Sequence, residues 1–134
     1  MLKGKCINPQ IVSALALCGH GSRILIADGN YPLEQKSGTA GKVYLGISPG
    51  LPTVTEVLKS IHSMIEIEKA VVMLPEDKSE PQIFGEFREE LNLELEGVGR
   101  QEFYETASAP DVFLAISTGE KRTFANILIT VGVV

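Results

Sequence analysis

Apolar positions along the chain switch between a helical rhythm and short continuous runs. Ile11, Val12, Leu15 and Cys18 share one face at helical spacing. Asn8 suits the N-cap of that helix, Pro9 its first position and Gly19 its stop. The run 23–28 reads as a buried strand ending in an acid, 29–41 as a loop rich in glycine and polar residues, and 42–46 as a short strand. Thr53-Val54-Thr55-Glu56 fits a capping box, and Val54, Val57, Leu58, Ile61 and Ile65 follow at helical spacing. A strand over 70–74 is stopped by Pro75. Ser79-Glu80-Pro81 opens a third helix that points Ile83, Phe84, Phe87 and Leu91 inward. The alternation over 93–98 predicts a half-buried strand, 101–108 a short helix, and 112–116 and 127–131 two further strands.

Helices set between near-continuous apolar strands predict an α/β fold, a three-layer sandwich on a mainly parallel sheet. One connection departs from that rule. Only about eight residues, 118–125, join the last two strands, and parallel crossovers need about a dozen or more. The last strand is therefore expected to run antiparallel. No linker or repeat divides the 134 residues, so 1–134 is read as one domain.

Composition narrows the function. Twelve basic against 17 acidic side chains give a net charge of −5, and the pI is near 5.0. Such a chain has no basic excess for nucleic acid or an anionic membrane surface. No apolar run approaches a membrane span, and the N-terminus lacks a signal-peptide stretch, so a cytoplasmic protein is expected. Cys6 and Cys18 are read as apolar fillers. With two cysteines and two histidines no standard zinc set forms, so no metal is expected. Walker, dinucleotide and nucleophile-elbow motifs are absent.

In open α/β sheets ligands sit beyond the carboxyl ends of the parallel strands. By that rule Asp28, Arg100, Ser117, Thr118 and Glu120 lie at the ligand rim, and an antiparallel last strand returns Asn126 to it. Each has a plainer reading. Asp28 would equally cap the turn that follows. Arg100 and Tyr104 share a helix face at i, i+4, as a solvated surface pair also would. His20, between Gly19 and Gly21, is either a surface residue at a helix stop or an acid/base group working near neutral pH. Local order puts it at the opposite rim, so it reaches the site only by a folded-back loop or from a neighbouring subunit. His62 falls within the second helix and is read as structural. A convergence of His, Asp, Arg, Tyr and Asn suits a small polyhydroxylated ligand.

These segments carry a family likeness. Gly19-His20-Gly21-Ser22-Arg23-Ile24-Leu25-Ile26-Ala27-Asp28-Gly29-Asn30-Tyr31-Pro32 resembles the signature of the D-ribose pyranase and L-fucose mutarotase family. Thr118-Gly119-Glu120-Lys121-Arg122-Thr123-Phe124-Ala125-Asn126-Ile127-Leu128 is similar to that family's closing motif. Arg100-Gln101-Glu102-Phe103-Tyr104-Glu105 resembles a stretch of its fucose branch.

The resemblance implies interconversion of sugar anomers, with L-fucose the first expectation. His20 matches the family's acid/base. Asp28 and Arg100 match sugar-binding positions, and Phe124, Ala125 and Asn126 match the closing tripeptide that lines the site. Tyr104 joins them on the Arg100 face. The family usually has tyrosine where this chain has Phe124, which removes one hydroxyl. Ring-shaped homo-oligomers with sites near subunit contacts are also implied. Two alternatives stand beside this reading: a D-ribose pyranase, and a non-catalytic monosaccharide-binding accessory of transport.

Overall fold

The computed structural model describes all 134 residues. In chain order the elements are α1 (Pro9–Leu17), β1 (Arg23–Ala27), β2 (Gly41–Tyr44), α2 (Val54–His62), β3 (Ile67–Met73), α3 (Ile83–Leu91), β4 (Leu95–Val98), α4 (Arg100–Ala107), β5 (Val112–Ser117) and β6 (Ile127–Val131). The six strands form one sheet in the order β2-β5-β1-β6-β3-β4. β6 runs antiparallel to both its neighbours, β1 and β3, and every other pairing is parallel. The short connection after β5 does return the chain antiparallel, as expected.

Strand residues alternate between two cores. On one face Ile24, Ile26, Leu114, Ile116, Ile127 and Ile129 pack against α1, α2 and α3 through Ile11, Leu15, Val57, Leu58, Phe84 and Phe87. On the other, Leu25, Ala27, Val71, Met73, Ala115 and Leu128 meet Phe103 and Ala107 of α4. Tyr31, Leu33 and Ala40 complete that second cover, so the 29–41 loop acts as part of the outer layer. The three-layer sandwich follows from this division.

The local signals worked where side chains close backbone groups. The Asn8 side chain accepts from the Ile11 N–H at 3.0 Å. Thr53 and Glu56 form the reciprocal capping box at the start of α2. Several boundaries shifted, among them β2, which spans Gly41–Tyr44, and β4, which starts only at Leu95. β3 begins at Ile67, three residues ahead of the apolar run and separated from it by the exposed pair Glu68 and Lys69, and α2 stops at His62 without reaching Ile65. α3 begins at Ile83, after the Ser79–Pro81 turn, and ends on Asn92 in the left-handed conformation (φ 52°). Arg100 is the first residue of α4. No helix is long and apolar enough to cross a membrane. Cys6 and Cys18 are both free.

Candidate active site

At the carboxyl ends of the strands lies a cleft of about 260 Å³, lined by Asp28, Asn30, Tyr31, Met73, Arg100, Tyr104, Thr123, Phe124 and Asn126. Its floor is Asp28, placed by the end of β1 and only 3% exposed. The Asn30 N–H donates to Oδ1 at 2.9 Å and the Ala125 N–H to Oδ2 at 3.3 Å. The Asp28 N–H donates in turn to Asn126 Oδ1 at 2.8 Å, which locks the start of β6 onto the end of β1. Burial pushes the Asp28 carboxyl up from its ordinary value, while the backbone donors pull it down. Each carboxylate oxygen keeps a lone pair beyond its backbone bond, so the group can still accept from ligand hydroxyls.

The walls come from α4 and from the segment before β6. The Arg100 guanidinium lies 5.8 Å from the centre of the Phe124 ring, a cation–π arrangement at the cleft mouth. Tyr31 stands edge-on to Tyr104, with centroids 5.5 Å apart, and donates its hydroxyl to the Lys36 carbonyl at 2.7 Å. Burial raises the Tyr31 phenol far above its usual range, with Tyr104 and Asp28 adding to it. Phe124 is half-buried and sits at φ 58°, a left-handed conformation costly for an aromatic residue.

The segment carrying Phe124 is anchored from below. Thr118 donates through its hydroxyl to the Ala27 carbonyl at 2.8 Å, and the Gly29 N–H donates to the Glu120 carbonyl at 2.9 Å. The Glu120 side chain, 4% exposed, turns inward and accepts from Arg122 Nε and Nη2, both at 3.0 Å. Arg122 also pairs with Glu86 of α3, which accepts from the Thr55 hydroxyl at 2.8 Å. Arg122 holds both the Glu120 and Glu86 carboxyls below the usual carboxylate range. A Cβ at Gly119 would overlap the Leu51 carbonyl, so the turn needs glycine there.

Of the residues singled out from sequence, Asp28, Arg100, Tyr104, Phe124 and Asn126 line one cleft, and Ala125 contributes its backbone N–H. His20 does not join them within the chain. Six steps from Ser22 to Asp28 at about 3.3 Å each put roughly 20 Å between the two rims. The loop does not fold back: its Gly21 N–H donates to the Val131 carbonyl at the far end of β6. His20 is exposed, and its Nε2 lies 3.0 and 3.1 Å from the two oxygens of Glu68. His62, the last residue of α2, places its Nδ1 2.9 Å from Glu90 of α3, a contact between the two helices away from the cleft. Tyr31, Asn30, Thr123 and Met73 were missed. Tyr31 and Asn30 follow Asp28 directly, and strand-end position was the available signal. No group of three His, Cys, Asp or Glu side chains is placed to hold a metal.

The model of the RbsD / FucU transport protein family matches residues 1–134. The chain belongs to this RbsD/FucU family. The resemblance noted in the sequence is thus the family found. The D-ribose pyranase of Proteus mirabilis is 29% identical over 142 residues, covering 99% of each chain. RbsD of Bacillus subtilis, solved in complex with D-ribose, superposes with a TM-score of 0.84 at 29% identity, over 100% of this chain and 99% of that one. The fucose mutarotase of Streptococcus pneumoniae, solved with L-fucose, gives 0.80 at 25% identity, over 96% and 94%. The RbsD/FucU fold, with its six-stranded mixed sheet and four helices, is the fold described above. Relatives within the family are sugar pyranases and mutarotases.

Proposed function

We propose that this protein opens and recloses the ring of a monosaccharide, L-fucose first, in a cleft completed by a neighbouring copy of the chain. The observation carrying this reading is the buried Asp28 carboxylate, fixed by two backbone N–H groups beneath Arg100 and Phe124. It suits a polyhydroxylated ring: the carboxylate accepts from hydroxyls, Arg100 donates, and aromatic faces cover the apolar side of the sugar. Met73 with the rings of Tyr104 and Phe124 offers an apolar wall for the methyl group of a 6-deoxy sugar. That wall favours L-fucose. D-ribose is the second reading, supported by the names of the relatives at 29% identity.

Ring opening takes a proton from the anomeric hydroxyl and delivers one to the ring oxygen. The C1–C2 bond then rotates, and closure on the other carbonyl face inverts the anomer. The cleft holds no imidazole. His20, exposed on the opposite rim, is the group to supply from a second copy, and head-to-tail contacts of this kind close as rings. No cofactor enters the step. The same reading places the protein in the cytoplasm, where thiols such as Cys6 and Cys18 stay reduced. The test is saturation-transfer NMR on the anomeric protons of L-fucose and D-ribose, with light scattering on the same sample. Accelerated exchange by an assembly is expected, faster for L-fucose. No acceleration with either sugar overturns the reading, and faster exchange of D-ribose replaces the substrate.

A further inference from the structure

We infer that Glu68 is a positioning residue for His20, aimed at it by a β-bulge built into the β3–β6 pairing. The inference rests on the acid/base role proposed for His20. Along the ladder Ile67 faces Val131 and Lys69 faces Thr130, so Glu68 is the extra residue, without a partner of its own. Bulges of this kind re-aim a side chain that regular pleating would send elsewhere. Here the re-aimed carboxylate meets the His20 imidazole with both oxygens within 3.1 Å of Nε2.

The surroundings make the geometry reproducible. The His20 loop is tied to the end of β6 by two backbone bonds, Gly21 N–H to the Val131 carbonyl at 3.0 Å and Val131 N–H to the Ser22 carbonyl at 2.9 Å. Gly132 donates to the Glu66 carbonyl at 2.8 Å, and a Cβ there would crowd the Glu68 Cβ at 3.2 Å. An ionised carboxylate only accepts, so Nε2 must carry the hydrogen. The neutral ring is thereby fixed as the Nε2–H tautomer. Nδ1 makes no bond within the chain and is the atom left to take and return a proton. Orientation by a carboxylate on the far ring nitrogen is how an imidazole is commonly held to one tautomer.

The test uses Glu68→Leu, which removes the acceptor from an exposed strand position, and Glu68→Gln, which keeps an acceptor of the same length. ¹⁵N shifts of His20, read on the neutral ring, report the tautomer whether or not any sugar is turned over. Nε2–H is expected in the parent and in Glu68→Gln, and a mixture in Glu68→Leu. Anomer exchange should fall about tenfold or more in Glu68→Leu, within the 10²–10⁴-fold that an acid/base group supplies, and recover in Glu68→Gln. In a His20→Ala background Glu68→Leu should have no further effect. An unchanged tautomer in Glu68→Leu, or an equal rate loss with and without His20, overturns the inference. Absence of exchange in the parent would instead overturn the proposed function, with the tautomer result still standing.

Discussion

At Phe124 the usual order of alanine and glycine should invert. Elsewhere alanine outranks glycine, because glycine loses about 0.5–1 kcal/mol more on ordering its backbone. At φ 58° a residue with a Cβ carries about 1–2 kcal/mol of steric cost that glycine escapes. Both variants lose the half-buried ring, worth about 1 kcal/mol, so that loss cancels between them. Phe124→Gly should therefore be more stable than Phe124→Ala by about 0.5–1 kcal/mol. Urea unfolding at equal protein concentration reads this as a midpoint difference of roughly 0.3–0.5 M for an m-value near 2 kcal/mol/M. The exposed Ser13 of α1 supplies the control, where Ser13→Ala should exceed Ser13→Gly by about 1 kcal/mol. Both position-124 variants should bind sugar two- to fivefold more weakly, since the ring under Arg100 is worth about 0.5–1 kcal/mol at an exposed site. If Phe124→Ala equals or exceeds Phe124→Gly, the left-handed backbone is not imposed by the fold and the strain argument fails.

Mixing His20→Ala with Asp28→Ala subunits after unfolding and refolding together should restore about a quarter of the sites, because in the proposed assembly each complete site would draw its cleft and its imidazole from different copies; no recovery in the exchange assay would return both groups to one chain. Arg122→Met leaves buried Glu120 unpaired and should cost about 2 kcal/mol at neutral pH, below the range for fully buried pairs because Arg122 is itself 39% exposed. The sign of its pH dependence follows from the lowered carboxyls. Their stabilisation is present above about pH 4.5 and lost as pH falls through their folded values, so denaturation curves of parent and variant should converge in acid. Phe124→Tyr should change sugar affinity by a few-fold to roughly tenfold with little change in stability, measured by titration and thermal unfolding; a marked stability loss with unchanged affinity would mean that the ring edge faces the core.

Much of this was legible in the chain because it depends on local chemistry. Asn8 and Thr53 announce helix starts through side-chain oxygens that must meet orphan N–H groups, and the structure uses both. The brevity of 118–125 announced the reversed β6. Asp28, Arg100, Tyr104 and Asn126 were found because strand ends and helix faces fix where side chains go. What stayed hidden depends on pairing across distance. The bulge at Glu68 arises from a register shift against Val131 and Thr130, more than sixty residues away, and leaves no mark in its own segment. The left-handed Phe124 has no glycine or asparagine to advertise it. The inward turn of Glu120 depends on Arg122 and on Glu86 from another helix.

The placement of β6 also dictates when the molecule can exist. The strand made last sits in the middle of the sheet, and it alone joins β1 to β3. Until residues 127–131 leave the ribosome, the chain holds two unconnected ribbons, β1 pairing with what it can and β3 with β4, each with open edges. Closure then stitches together partners about 55 to 107 positions apart, the kind of long-range step that slows folding. The same event delivers Asn126 to the Asp28 N–H and Ala125 to its carboxylate. A nascent chain that stops short of β6 thus has neither a continuous sheet nor the Asn126 and Ala125 bonds that fix the floor of its cleft, and a ligand that binds only the finished cleft would favour completion over the half-made form.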